Sequence, residues 1–419
     1  MKVTTIVALV TATSFLMAPC RMVAQSVILK TDQTKEIVEE DDIEALRKAA
    51  EAGDVEAMTT LGNKYADGEG VEMSAETAIS WFKKAAEKGY AKAMNNIGYM
   101  YYNGEGVDID YPEALKWFRE AADLGYADAM NNVGRCYFSG YGVSQDYGEA
   151  VKWYRKSAEL ENAYAIRNLG VCFKNGYGVE KDYLQAAEWF RKSADKGNAA
   201  AMTDLGLLYE NGNGVEKDLV EAEKWYRKAA EQGYSYGQAN LANFYEYGKG
   251  GLPQDYQQSA EWYRKAAEQG YDRAQSALGW HYEKGNGVEK DLVEAAKWYR
   301  KAAEQGYADA QVSVGLCYYR GEGVNKDYKQ AVEWWRKAAD QGDAWGQYNL
   351  GHCYKEGEGV KKDISVAKMW FAKAAAQGHE DAKRIMDYYN NPSSSKSSNK
   401  GKVTFRVDRR KGLILDFYL

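Results

Sequence analysis

Tryptophan recurs at a nearly constant interval, and this periodicity constrains the fold more strongly than any other feature of the sequence. Nine of the 12 tryptophans lie at positions 81, 117, 153, 189, 225, 262, 298, 334 and 370. Seven of the eight intervals between them are 36 residues, and one is 37 residues. Because a fixed period between about 20 and 50 residues is typical of solenoids and propellers, the chain is predicted to be an array of repeats.

The first half of each repeat has the pattern of a helix. Ala129, Val133 and Tyr137 are apolar residues four positions apart, which is helical spacing. A glycine recurs inside this helix, with Ala242 as the one exception: Gly62, Gly98, Gly134, Gly170, Gly206, Gly279, Gly315 and Gly351. A glycine within a helix costs about 1 kcal/mol relative to alanine. Its recurrence therefore predicts a close approach between two helices.

The second half of each repeat predicts a second helix after a glycine-containing turn. Gly140 and Gly142 end the first helix, and Asp146 is the expected N-cap of the second. The equivalent N-caps are Ser74, Asp110, Asp182, Asp218, Asp255, Asp291, Asp327 and Asp363. A Glu or Gln three residues later predicts a reciprocal capping box. Because no segment of the repeat alternates with period two, a propeller is excluded, and we predict an all-α, right-handed α/α solenoid of nine repeats over residues 55–390.

Two motifs in each repeat identify a resemblance. The first reads A-x-x-x-L-G-x-x-Y-x-x-G-x-G-V, and the second reads D-x-x-x-A-x-x-W-Y-R-K-A-A-x-x-G. Together they resemble the Sel-one-like repeat, a relative of the tetratricopeptide repeat, from about Val55 to Gly378. The resemblance implies an adaptor or scaffold for protein–protein contact, frequently in exported or membrane-associated complexes.

The amino terminus has the pattern of an export signal. Lys2 precedes an apolar stretch from Val3 to Met17, which is short for a membrane span. We therefore expect residues 1–26 to be a signal peptide and the protein to be periplasmic, outer-membrane-associated or secreted. A lipid anchor at Cys20 and a retained anchor helix remain alternatives.

The segments that flank the repeats have separate interpretations. Residues 27–54 are predicted to contain a capping helix, and His379–Tyr389 resembles a second cap at the other end. Residues 391–402 are rich in serine and are expected to be a flexible linker. Residues 403–419 form a short tail, for which a β-hairpin, a peptide that docks on a partner and disorder all remain open.

Chemistry-bearing motifs are scarce, so no catalytic residue, cofactor or metal site is predicted. His281, His352 and His379 are interpreted as surface residues. Cys136, Cys172, Cys317 and Cys353 share one position of the repeat and are interpreted as small buried hydrophobes, because neighbouring helices hold them too far apart for a disulfide. The net charge of −6 gives no basic footprint for nucleic acid.

A variable stripe on the first helices is the predicted partner-binding surface. It lies at positions −6, −3, +1 and +4 from the helical glycine, and aromatic and arginine side chains of this kind are common interface anchors. An asparagine two residues before the glycine forms a second series, suited either to a peptide backbone or to loop carbonyls between repeats. The predicted residues, here called the first-helix stripe, are Asn96, Tyr99, Tyr102, Asn132, Arg135, Phe138, Tyr164, Arg167, Asn168, Tyr236, Trp280, Tyr319, Trp345 and Tyr348.

The expected function is that of an exported, non-enzymatic scaffold. It would bind a protein or an extended peptide through the first-helix stripe, and we expect a monomer. Two alternatives remain: a cell-envelope enzyme or binder of cell-wall fragments, and a secreted factor that binds a host protein. Aromatic rings and asparagine side chains would also suit a sugar chain.

Overall fold

The protein is described by a computed structural model that covers residues 34–390, 404–408 and 412–416. The predicted signal peptide, with its alternative lipid anchor at Cys20, and the predicted linker at 391–402 lie outside the described residues. Residues 34–390 form 20 helices, and the period of helix pairs is that of the sequence repeat. The predicted all-helical repeat fold is therefore confirmed.

Each repeat consists of a first helix and a second helix of 13 residues. A helix precedes the first repeat (α1, Thr34–Glu51), and another follows the last (α20, Glu380–Asn390). The first helices are α2 Val55–Asp67, α4 Ala91–Asn103, α6 Ala127–Ser139, α8 Ala163–Asn175, α10 Ala199–Asn211, α12 Ser235–Tyr247, α14 Asp272–Lys284, α16 Ala308–Arg320 and α18 Ala344–Glu356. The second helices are α3 Ala75–Glu87, α5 Tyr111–Asp123, α7 Tyr147–Glu159, α9 Tyr183–Asp195, α11 Leu219–Glu231, α13 Tyr256–Glu268, α15 Leu292–Glu304, α17 Tyr328–Asp340 and α19 Ile364–Ala376.

The chain is divided into two compact units. One unit comprises Met1–Ala201 and Asn213–Val215, and the other comprises Met202–Gly212 and Glu216–Leu419. The first therefore contains repeats one to four, and the second contains repeats six to nine.

The capping aspartates fix where the second helices begin. Asp110 Oδ1 accepts a hydrogen bond from the backbone N–H of Glu113 at 3.0 Å, as predicted for an N-cap. The reciprocal half of the predicted capping box is wrong. The backbone N–H of Asp110 instead donates to the carbonyl of Tyr101 at 2.9 Å, and Glu113 Oε1 accepts from Trp117 Nε1 at 2.8 Å. Through its two bonds, Asp110 connects the start of the second helix to the end of the first helix.

In every repeat that has a helical glycine, this glycine lies against an aromatic ring of the second helix. At Gly170, an added Cβ would lie 2.6 Å from the Phe190 ring, and at Gly134 it would lie 2.6 Å from the Tyr154 ring. Both rings are almost fully buried. The predicted close approach of the two helices is therefore confirmed, and the space that a methyl group would need is filled by the ring.

Lysine side chains cover the periodic tryptophans. The Lys84 ammonium lies 3.8 Å from the centre of the Trp81 ring, and Lys301 lies 3.9 Å from Trp298. In each pair the lysine lies one helical turn after the tryptophan. The aliphatic part of the lysine therefore packs along the indole ring, while its ammonium group stays near water. The tryptophan series thus belongs to the packing of the second helices.

The four cysteines that the structure describes are buried and form no disulfide. Burial raises the pKa of Cys136 and that of Cys172 to about 12, so both are neutral thiols. Their interpretation as small core residues is confirmed.

Two short strands form an antiparallel pair within the tail. β1 spans Thr404–Asp408, β2 spans Gly412–Asp416, and the register places Phe405 opposite Leu415 and Val407 opposite Leu413.

One repeat ends its second helix without the usual glycine. Glu161 lies two residues after the end of α7 and has φ +63°, whereas Gly125 and Gly197 occupy the equivalent turns with φ +85° and +87°. A side chain in this left-handed region costs about 1–2 kcal/mol. Glu161 also forms an ion pair with Lys196, but both side chains are well exposed, so the pair contributes little.

We therefore expect Glu161→Gly to raise the free energy of unfolding by about 1 kcal/mol, since relief of strain exceeds loss of the ion pair. Urea unfolding of the wild type and of Glu161→Gly measures the difference in free energy of unfolding. Glu159→Gly, which places glycine in the last turn of the same helix, is the control and is expected to lower stability. A loss of stability in Glu161→Gly comparable to that of the control would contradict this explanation.

Candidate binding surface on the first helices

Burial divides the first-helix stripe into three groups. Tyr164 is the most open, with 56% of its surface exposed. Four members are buried: Asn132, Phe138, Asn168 and Tyr348. The half-buried members are Asn96, Tyr99, Tyr102, Arg135, Arg167, Tyr236, Trp280, Tyr319 and Trp345. Most of the stripe thus packs partly against neighbouring side chains and partly faces solvent.

Asparagine side chains connect neighbouring first helices in the first unit. Asn132 Nδ2 donates to Asn95 Oδ1 at 2.9 Å, and Asn168 Nδ2 donates to Asn131 Oδ1 at the same distance. Asn96 Nδ2 similarly donates to Asn63 Oδ1 at 3.0 Å. Of the two alternatives for this series, the bond to loop carbonyls does not hold for these residues, because each side-chain amide donates to a side-chain amide of the preceding repeat.

Asn349, near the end of the array, lacks the bond that the three asparagines of repeats two to four form. Asn349 is buried, and its Nδ2 has no hydrogen-bond partner. Asn132 bonds to Asn95, which lies 37 positions earlier in the sequence. The residue 37 positions before Asn349 is the apolar Val312, which cannot accept such a bond. The missing bond therefore follows from one apolar residue in repeat eight.

Side chains of the same and the next repeat contact the two stripe tyrosines of repeat two. The Tyr99 hydroxyl donates to Asn132 Oδ1 at 3.1 Å, and the Tyr99 ring packs edge-on against Phe118. The Tyr102 ring lies edge-on to Tyr111 and Tyr141, whose rings stack 4.3 Å apart. Neighbouring repeats thus hold both tyrosines in fixed orientations.

Phe138 repeats this arrangement one repeat later, but it is buried. Its ring lies 5.0 Å from Tyr147 and 5.3 Å from Tyr177, and those two rings stack on each other. Sequence reasoning missed these flanking tyrosines. Their signal was available, because a tyrosine directly follows the capping aspartate in several repeats: Tyr111, Tyr147, Tyr183, Tyr256 and Tyr328.

In the second unit the stripe residues also pack against other aromatic side chains. The Tyr236 ring lies 5.4 Å from Tyr271, and the Trp280 ring lies 5.2 Å from His281. The Tyr319 hydroxyl donates to Glu358 Oε2 at 2.8 Å. These contacts leave part of each side chain exposed while fixing its position.

Trp345 and Tyr348 pack against the terminal cap. The Tyr348 ring stacks on His379 at 4.4 Å, and the Trp345 ring lies 3.9 Å from the same imidazole. His379 Nδ1 accepts a hydrogen bond from the backbone N–H of Ala382 at 3.3 Å, so His379 is the N-cap of α20. Tyr348 is fully buried and therefore belongs to the packing of the cap.

The interpretation of the histidines as surface residues is wrong. His281 and His379 are buried, and His352 is mostly so. His281 Nδ1 lies 2.7 Å from the carbonyl of Asn286, and its other ring nitrogen lies 3.3 Å from the Ser259 hydroxyl. Burial lowers the pKa of all three, to about 4 for His352 and His379.

The lowered pKa of His379 predicts a pH dependence of stability. Its pKa falls from 6.5 to about 4 on folding, so the unfolded chain takes up a proton first as pH decreases. The free energy of unfolding should be fully retained above pH 6.5 and fall by about 1–3 kcal/mol between pH 6.5 and 4. In His379→Asn, which can still cap α20, the fall should be smaller. An unchanged pH profile in this variant, measured by urea unfolding, would rule out this role.

A separate groove lies outside the stripe, on the second-helix side of repeats three and four. It has a volume of about 610 Å³ and a mixed lining of charged and apolar side chains. Its lining residues are Arg155, Ala158, Glu159, Glu161, Ile166, Trp189, Lys192, Asp195 and Lys196.

Across residues 34–390, no group of three His, Cys, Asp or Glu side chains is arranged to hold a metal ion. None of the helices described combines the length and apolar character that crossing a bilayer needs.

The helix pairs recur with a 36-residue period, and a glycine packs against an aromatic ring in all of them except repeat six. These features define an α/α helical-repeat protein. The Sel1 repeat model matches nine segments: 55–90, 91–126, 127–162, 163–198, 199–234, 235–271, 272–307, 308–343 and 346–379. The chain belongs to the Sel1 repeat family.

Solved structures agree with this assignment. The chain is 37% identical to a protective antigen present in uropathogenic Escherichia coli strains, with 83% of each chain covered and a TM-score of 0.53. It is 33% identical to a Sel1 repeat protein from Oxalobacter formigenes, covering 58% of this chain and 96% of that one, also with a TM-score of 0.53. No curated protein matches the chain. Sel1 repeat proteins generally mediate protein–protein interaction and are typically non-enzymatic.

Proposed function

We propose that this protein is an exported, non-enzymatic adaptor that binds a protein or an extended peptide on its first-helix stripe. The observation that carries the proposal is a set of side chains in repeats two to four that face solvent at least in part, and hydrogen bonds hold three of them in place: Tyr99, Tyr102 and Arg135. Tyr164 and Arg167 continue the set. Side chains that are already held in place lose little conformational entropy on binding, which favours affinity.

The chemistry of these residues supports the same use. Tyr and Arg are enriched at interface hot spots, because each combines a large contact area with hydrogen-bond donors. The core positions of the repeats are nearly constant, whereas the stripe changes from Tyr99 to Arg135 to Val171 at one equivalent position. Variation of this kind gives the surface a different side chain at each repeat, which is suited to recognising one particular partner.

Two observations support export. Residues 1–26 have the composition of a signal peptide. The relative from uropathogenic Escherichia coli is described as a protective antigen, which is compatible with a location outside the cytoplasm.

Site-specific photocrosslinking in the native cell tests the proposal. p-Benzoylphenylalanine in place of Tyr164 reports on the stripe, and the same group in place of Leu184, which is 60% exposed on a second helix, is the control. We expect a discrete crosslinked protein from position 164 and none from position 184. Crosslinks from 184 alone would place the partner on the other face. Cell fractionation of the same strain tests export, and a cytoplasmic location would contradict it.

A further inference from the structure

Arg135 is a half-buried cation without an anionic partner. Its Nη2 donates to the Tyr102 hydroxyl at 3.3 Å, and its Nη1 donates to Asn132 Oδ1 at 3.4 Å. Both distances exceed the usual range for such bonds, and the guanidinium has five N–H donors in all. Within the part of the chain that the structure describes, no carboxylate forms an ion pair with Arg135.

The groups around Arg135 do not compensate its charge. Burial raises the pKa of Tyr102 to about 12, and the same cause raises that of Cys136 to about 12. Both are therefore neutral at pH 7. The Tyr102 ring lies 5.1 Å from the guanidinium carbon, a cation–π contact that offsets only part of the cost of removing the charge from water.

Arg227 is an arginine of this chain that does have an anionic partner. Arg227 Nε donates to Glu223 Oε1 at 2.7 Å, and Arg227 Nη2 donates to the Tyr245 hydroxyl at 3.0 Å. A carboxylate and a shorter hydrogen bond thus satisfy that guanidinium. Arg135 has no carboxylate partner, and its two hydrogen bonds are longer, so N–H donors of its guanidinium remain available to a ligand.

We propose that Arg135 binds the carboxylate of an Asp or Glu side chain in the partner segment. The inference rests on the proposed function, because it assigns the chemistry of the ligand for the same surface. Unused N–H donors of Arg135 would form charge-assisted bonds to the two carboxylate oxygens.

An acidic side chain fits this position better than a chain terminus. The first-helix stripe continues on both sides of Arg135, through Tyr99 on α4 and through Tyr164 and Arg167 on α8. A segment that follows the stripe would pass over Arg135 and continue. It would thus present a side chain there, and the neighbouring tyrosines would contact the residues that flank it.

Stability distinguishes a ligand-binding arginine from a structural one. Arg135→Met keeps the length of the side chain and removes a desolvated charge, so the free energy of unfolding should stay unchanged or rise. A structural arginine would show a clear loss of stability in the same variant. Arg119→Met, which removes an arginine bonded to the Tyr137 hydroxyl at the junction of α5 and α6, is the matched control.

Peptide selection tests the ligand chemistry directly. A display library of random 12-residue peptides, presented once within a loop and once with a free carboxyl end, is selected on the full-length wild type, on Arg135→Met and on Arg119→Met. We expect Asp or Glu at one internal position in peptides from the loop library on wild type and on Arg119→Met, and no such enrichment on Arg135→Met. Titration then compares a selected peptide with its Glu→Gln or Asp→Asn form. The change should weaken binding to wild type by about tenfold or more and leave binding to Arg135→Met unaffected.

Other outcomes separate the two proposals. Peptides that need Tyr99 and Tyr164 but show no acidic preference would overturn the role of Arg135 and leave the adaptor function standing. Acidic peptides that bind Arg135→Met as tightly as wild type would also overturn the role of Arg135 and leave the adaptor function standing. Selection of peptides only from the library with a free carboxyl end would show that Arg135 binds a chain terminus. That result would overturn the assignment of an acidic side chain. Selection of no peptide that depends on the stripe would count against both proposals.

Discussion

Gly170→Ala is expected to destabilise the protein by up to about 2 kcal/mol, although glycine-to-alanine changes within helices usually stabilise. The usual gain is about 1 kcal/mol, because alanine has the higher helix propensity. Here the new Cβ would lie 2.6 Å from two atoms of the Phe190 ring, which is fully buried and cannot move aside freely. Overpacking of this kind typically costs about 1–3 kcal/mol and outweighs the gain in propensity.

Gly148→Ala is the matched control for this prediction. Gly148 also lies within a helix, and an added Cβ would lie 3.3 Å from the Asp146 carboxylate. Leu184 and Val220 occupy the equivalent position in other repeats, so the site accepts a side chain. We expect the free energy of unfolding to stay unchanged or to rise by up to about 1 kcal/mol, as measured by urea unfolding. Phe190→Leu should restore part of the loss caused by Gly170→Ala, and simple additivity of the two changes would show that the ring contact is not the cause.

Gly142→Ala is expected to have a still larger effect, on the order of 3 kcal/mol or more. Gly142 has φ +70°, so alanine first incurs the cost of the left-handed conformation. Its Cβ would also lie 2.3 Å from the Tyr111 carbonyl oxygen, which belongs to the backbone of the preceding repeat. Since α5 begins at Tyr111, the clash would separate two repeats.

Gly125→Ala isolates the first of these two costs. Gly125 has φ +85°, and nothing lies within 4 Å of an added Cβ. Its replacement should cost only about 1–2 kcal/mol. Equal losses of unfolding free energy in the two variants would show that the contact with Tyr111 does not contribute.

The repeat architecture could be read from the sequence because it depends on local signals. The positions of Gly134 and Asp146 follow from helical spacing and from N-cap preference, and the structure places both as expected. The capping box was half wrong, because the backbone N–H of the capping aspartate bonds to the preceding helix. That bond depends on how two helices pack, which a local motif does not specify.

The details of the binding surface were harder to predict for a similar reason. Helical periodicity identifies which residues share a face, but contacts between repeats decide how far each is buried. Phe138 and Tyr348 lie on the predicted stripe and are buried by aromatic rings of the neighbouring repeat and of the cap. His379 was assigned to the surface, and packing against Trp345 buries it. The role of the remaining stripe residues in binding stays a prediction.

The central claim is that the partner binds the first-helix stripe. Isothermal titration of the crosslinked partner, once purified, into the Tyr99→Ala/Tyr164→Ala variant tests it most directly. The control is Leu160→Ala/Leu184→Ala, which removes two side chains that are 50% and 60% exposed near or on the second helices. We predict that the stripe variant binds at least about tenfold more weakly than wild type and that the control binds equally well. Unchanged affinity in the stripe variant, with a loss in the control, would contradict the claim.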